Sequence, residues 1–256
     1  MPASPSLARS LAHEFAVEES VLSSKPDRPL SRLSACVFAL ASLTTVPLVA
    51  LAEEQPITEA EHVLFVADHL QSIQGKQTLR YAFHRGGTLD KDLDDSAEFE
   101  VSDTSGKRTV ETRCMTGSKK LELPAIEAAK GNPALLCFLE RDIREMERLT
   151  GGKKWFFQKR IRLALADGPE VKPIKVNFAG TEISAKEIRI TPYAKDSLRQ
   201  KFEKYADKYY IFRLSDAVPG GILEVDAVIP DGAKPEGPKL MEEVMAFSRL
   251  EPAKKN

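Results

Sequence analysis

Three of the four histidines lie beyond residue 55, at His62, His69 and His84, and none stands in an arrangement that completes a reactive centre. His62 and His69 are seven residues apart and share a face if one helix carries both, as two metal ligands would need. Helical ligands usually stand three or four apart, and HExxH is absent. A packing or surface role is therefore expected for both. No G-x-S-x-G elbow occurs, and Thr116-Gly117-Ser118 lacks the rest of that pattern. Gly151-Gly152 is followed by lysines, but without the spacing of a phosphate-binding loop. CxxC is missing, which argues against thiol exchange. Asp90, Asp92 and Asp94 match alternate positions of a calcium loop. Its glycine position is Asp95, however, and its bidentate glutamate position is Val101, so an acidic solvated turn is expected. These patterns supply no catalytic residue, metal site or cofactor.

The cysteines are more informative once the start of the chain is read. Arg28 and Arg32 precede an apolar run, Ala35 to Leu51, which ends in Ala50-Leu51-Ala52 before Glu53-Glu54. That is the small-x-small pattern a signal peptidase reads. The run is shorter and richer in Ala, Ser and Thr than the roughly 20 apolar residues of a membrane span. Residues 1–52 are thus expected to be a leader and signal peptide, cut after Ala52, and residues 53–256 a single periplasmic domain. Cys36 precedes the apolar run instead of following it, so it does not fit a lipid-attachment box. Cys114 and Cys137 then remain in an oxidising compartment. They either pair, closing a loop of 24 residues counted inclusively, or sit apart as two small buried hydrophobes.

Charge excludes one partner class and suggests another. The chain has 37 basic and 38 acidic side chains, and the leader contains four of each, so the balance stays at −1 either way. No global basic field exists to hold nucleic acid. Locally, Leu139 to Ala166 contains eight basic and four acidic residues. Lys153, Lys154, Lys159, Arg160 and Arg162 stand beside Trp155 there, and they are the candidate contact residues for an anionic membrane surface, a lipid or an acidic envelope protein. The alternative is a solvated helix face whose aromatics turn inward.

The elements that would position these residues alternate between strand pairs and helices. Thr58 and Glu61 form a capping box, and Val63, Phe65, Val66 and Leu70 continue a predicted helix up to Gln74-Gly75. Thr78 to His84 reads as a strand; Phe99 with Val101 and Val110 with Cys114 read as a half-buried hairpin. Asn132-Pro133 opens a helix with an apolar stripe at Leu136, Leu139, Ile143 and Met146, and Thr150-Gly151-Gly152 closes it. A basic helix over about Lys154 to Ala166 completes a helical hairpin. Strands return at Ile174 to Phe178 and Ile183 to Ile190, where a change of apolar phase predicts a bulge near Lys186-Glu187. A helix follows Pro192, and Tyr209 to Leu214 with Ile222 to Ile229 forms a last hairpin. Asp231 to Pro238 is a Gly/Pro-rich connector, and Leu240 to Leu250 fits helix or strand. Adjacent strand pairs predict an α+β fold with an antiparallel sheet packed against the inserted helical hairpin and the N-terminal helix.

The segments "NPALLCFLERDIREM", "TGG" and "FFQKRIR" resemble a group of uncharacterised exported proteobacterial proteins. The order of elements over residues 57–230 is similar to the half-barrels of LolA-type lipoprotein carriers. That resemblance implies a curved sheet that shelters an apolar or amphiphilic ligand between sheet and helices, with no binding residue carried over. The expected function is a soluble periplasmic binding or interaction protein, not an enzyme. The alternative is an envelope assembly factor that binds a protein through the basic helical hairpin.

Overall fold

Residues 56–232 and 237–253 are described by a computed structural model of the chain, so the predicted leader, signal peptide and cleavage point lie outside the described residues. Eight strands form one antiparallel sheet among them. They are β1 (Lys76–Gly87), β2 (Leu93–Thr104), β3 (Lys107–Cys114), β4 (Val171–Phe178), β5 (Thr181–Ile190), β6 (Tyr209–Leu214), β7 (Ile222–Pro230) and β8 (Lys239–Pro252). The order is β3-β2-β1-β8-β7-β6-β5-β4, so the last strand returns between the first and the seventh. The helices are α1 (Glu59–Glu61), α2 (Pro133–Thr150) and α3 (Lys154–Ala166), and the last two fill the connection between β3 and β4. This is the expected α+β architecture.

Local sequence explains several of these elements. In β2, Ala97, Phe99 and Val101 are buried while Glu98 and Glu100 face outward, as a one-sided sheet requires. Ser105-Gly106 and Ala179-Gly180 have positive φ at both positions, the two-residue turn whose twist suits a hairpin. Asn132 caps α2 by accepting from the Ala134 N–H at 3.0 Å, Pro133 takes the first helical position, and Gly151 closes the helix at φ 68°. The buried stripe of α2, with Leu135, Phe138, Ile143 and Met146, packs on the sheet.

The sheet is strongly curved. β4 and β8 are four places apart, about 19 Å along a flat sheet. Yet the rings of Phe178 on β4 and Phe247 on β8 lie 6.0 Å apart. The β4–β5 hairpin therefore curls back toward β8, which makes the sheet a half-barrel.

Three local expectations are corrected, and one left open is settled. The capping box forms, with Glu61 N–H donating to Thr58 Oγ1 at 3.1 Å, but α1 passes into a π turn (His62–Val66) and stops at Ala67. Extended backbone at Ala67 releases the chain so that His69 turns inward, and the two histidines share no helix face. Register runs unbroken through β4–β5 and β5–β6, so the change of apolar phase involves no bulge. The helix after Pro192 is a pair of 3-10 turns, Arg199–Lys201 and Glu203–Asp207, interrupted where Glu203 takes a φ of 48°. The last element is a strand, held in place by partners on both sides.

Cys114 and Cys137 are disulfide-bonded, with Cα atoms 5.7 Å apart, and both are buried. The bond ties β3 to the first turns of α2. Replacing both cysteines by alanine is expected to lower the unfolding free energy by about 3 kcal/mol in urea titrations, and an unchanged midpoint would show that the bond constrains nothing.

Candidate functional site

The interior under α2 is a charged strut, not a reactive centre. Asp142 projects from α2 and pairs with Lys208 at the entrance of β6, both side chains being within 1% of complete burial. The Tyr210 hydroxyl donates to Asp142 Oδ2 at 2.6 Å, and the Tyr193 hydroxyl stands 3.2 Å from that of Tyr210. Burial pushes both phenols far above the usual tyrosine range, so they stay protonated donors. One residue earlier, Arg141 pairs with buried Glu243 on β8 and lies 4.3 Å over the Phe83 ring. Burial pushes the Glu243 carboxyl up, while the Arg141 charge pulls it down. No nucleophile stands beside a base that reaches solvent in this group. Phe138, Phe157, Tyr193 and Phe212 fill the remaining space here, each almost wholly buried.

Open apolar surface lies instead at the curled end of the sheet. Ile174, Val176 and Phe178 share one face of β4, opposite Ala185, Ile183 and Thr181 of β5. Their neighbours Lys175, Asn177, Glu182 and Ser184 form the exposed face. Further down the ribbon the covered face changes over to Val171, Ile188 and Ile190. Register is unbroken through both pairings, so no inserted residue makes this change. Apart from buried Ala185, the apolar side chains at the tip stay half-buried, as do Phe247 and Leu250 on β8. Phe247 packs edge-on against buried Tyr81 at 5.7 Å and meets Phe178 on its other side. The result is an apolar rim anchored to the core and still partly open to water.

The six predicted contact residues divide into two groups. Lys154 pairs with Glu140 and so links α3 to α2. Arg160 pairs with buried Asp196 and lies 4.9 Å over Phe156. Lys153, Trp155, Lys159 and Arg162 are exposed, with Trp155 at 63%. His69 is buried: its Nε2 donates to the Val63 carbonyl at 2.8 Å and its Nδ1 accepts from Asn132 N–H at 3.2 Å. Burial lowers its pKa, which keeps the ring neutral. His84 faces solvent and pairs with Asp94. The acidic turn disperses, since Asp90 meets Arg85 and Arg148 while Asp95 accepts from Thr116. Among the described residues no three His, Cys, Asp or Glu side chains cluster as a metal site would need, and no helix is long and apolar enough to cross a membrane.

No family model and no curated protein sequence matches the chain. Among solved structures, the lipoprotein LppX of Mycobacterium tuberculosis aligns with a TM-score of 0.34 and 10% identity, over 77% of this chain and 99% of that one. A LolA-superfamily protein of Nitrosomonas europaea aligns with a TM-score of 0.21 and 9% identity, over 77% and 94%. The likeness is a weak one of architecture.

The strut makes a quantitative prediction. Lys208→Met leaves the Asp142 carboxylate buried without its cation and is expected to cost about 3–5 kcal/mol, measured by chemical denaturation. Adding Asp142→Leu to that variant removes the stranded charge and is expected to recover most of the loss. Equal destabilisation of single and double variants would contradict this assignment.

Proposed function

We propose that the protein is an exported, non-catalytic binding protein that holds an apolar or amphiphilic ligand at the rim formed by the β4–β5 hairpin and Phe247. The observation that carries this reading is the half-buried apolar face of that hairpin, turned toward β8 by the curvature of the sheet. Covering such a face removes apolar area from water at about 25 cal/mol per Å², which a chain-like ligand can supply. Export to the periplasm is supported by the apolar run before Ala52 and by the disulfide, a bond characteristic of oxidising compartments. Phe178→Ser combined with Ile183→Ser is expected to weaken binding of the fluorescent apolar probe N-phenyl-1-naphthylamine about tenfold or more, with circular dichroism unchanged. Undiminished binding in the folded variant would rule the rim out.

A second reading is an envelope assembly factor that docks through α3. The exposed Trp155 and Leu163, flanked by Lys153, Lys159 and Arg162, favour it. Trp155 is the only tryptophan, so its fluorescence reports this face alone. Membrane docking predicts a blue shift on adding anionic vesicles, and protein docking predicts cross-links from a photoreactive residue at position 155. Absence of both would remove this reading.

A further inference from the structure

A cavity of about 240 Å³ opens beside the middle of α2. It lies near Arg85 on β1, whereas the apolar rim lies near Tyr81. Those residues are four apart along one strand, about 13 Å. The two places are therefore separate, and the inference below does not depend on the rim.

Three segments build the cavity. Arg141, Arg144 and Arg148 approach it from one face of α2, as their helical spacing requires. Arg85 comes from the end of β1, and Lys119 and Lys120 come from the turn just after Cys114. Against these six cations the lining contains two carboxylates, Asp95 and Glu145. Both are already engaged. Asp95 accepts from the N–H and hydroxyl of Thr116, and Glu145 accepts from Arg148 and Arg85. The other acids that pair with the lining cations, Asp90, Glu122, Glu140 and Glu243, are not part of the lining.

Donors remain after this pairing. Arg144 engages Glu140 through Nε, and its two terminal nitrogens have no partner among the described residues, whereas the unpaired Arg141 Nε is closed off from the cavity by burial. Lys119 makes no ion pair among the described residues. The disulfide joins the root of the lysine turn to α2, so two walls of the cavity are covalently fixed to each other. A fixed group of guanidinium and ammonium donors around a small space suits an oxyanion, because guanidinium forks match its geometry and ammonium adds a mobile point charge. The volume falls below the range of about 300–1,000 Å³ typical for drug-sized ligands, which selects a small anion or the head of a larger molecule.

We infer that this cavity is an anion site that takes one phosphate-class oxyanion, either free or as the head group of a phosphate ester. Arg144 and Lys119 are its outer donors, and Arg141 and Arg85 form its floor. The floor residues also sustain buried ion pairs, so the outer pair is the place to test the site.

Isothermal titration of the oxidised chain with inorganic phosphate, at ionic strength held constant with chloride, is expected to show one saturable site. Lys119→Glu with Arg144→Ala is expected to weaken it at least tenfold while the melting temperature without phosphate stays unchanged. Lys119→Ala alone, at a side chain with no ion pair to lose, is expected to weaken it about threefold. A parallel titration with monomeric dihexanoyl phosphatidic acid distinguishes the sources. Binding of both compounds identifies a free anion as sufficient, and binding of the lipid alone identifies a head group. If neither binds, or if binding survives unchanged in the folded Lys119 variants, the proposal is overturned.

Discussion

The buried pair of Asp142 and Lys208 is the constraint around which the rest of the molecule is arranged. Two opposite charges removed from water are stable only if they meet, and they meet only when α2 lies over the entrance of β6. Tyr210 completes the carboxylate's hydrogen bonding and Tyr193 backs it, so rotation of α2 about its axis would strand polar atoms. Further tethers lie within the same stretch of chain. Asn132 donates to the Tyr81 hydroxyl at 2.7 Å and to the Gly220 carbonyl at 2.6 Å, Cys137 bonds to β3, and Arg141 pairs with β8. Gly220 tolerates this approach because a Cβ there would lie 2.7 Å from Asn132 Nδ2.

This arrangement separates a packed centre from open surface along the half-barrel. The centre spends its polar groups on fixing α2, and its aromatics leave little space for a ligand. Two places stay open: an apolar rim at the curled hairpin, and a cationic cavity beside the middle of α2, where it adjoins the strut through Arg141. Apolar area governs the first place, and donor excess governs the second.

Much of the fold could be read from local residue patterns. Asn132-Pro133 and Gly151 bracket α2 because capping chemistry is local, and the alternation of Phe99 and Val101 marks β2 for the same reason. The disulfide was open as a pairing, and strand alternation placed Cys114 on the covered side where Cys137 meets it. The departures have different causes, some in contacts distant in sequence and one within a local hairpin. His69 leaves the helical path to bond Asn132, sixty-three residues away. The β4–β5 ribbon changes its covered face with register unbroken, which hydrophobic phase alone cannot distinguish from a bulge. Of the expected contact residues, Lys153, Trp155, Lys159 and Arg162 are exposed, whereas Lys154 and Arg160 are held by Glu140 and Asp196. The apolar rim is not legible in the sequence because Phe178 and Phe247 meet only when the sheet curls, and Asp142 reads there as one more charge on a polar helix face.

Native mass spectrometry of the protein released gently by osmotic shock, as a periplasmic protein would be, tests the central claim most directly. The expected spectrum is a polypeptide beginning at Glu53, with one intact disulfide and a non-covalent apolar adduct that is missing when Phe178 and Ile183 are replaced by serine. A bare polypeptide from cells with the rim intact, under conditions that preserve lipid complexes of a control carrier, would contradict it.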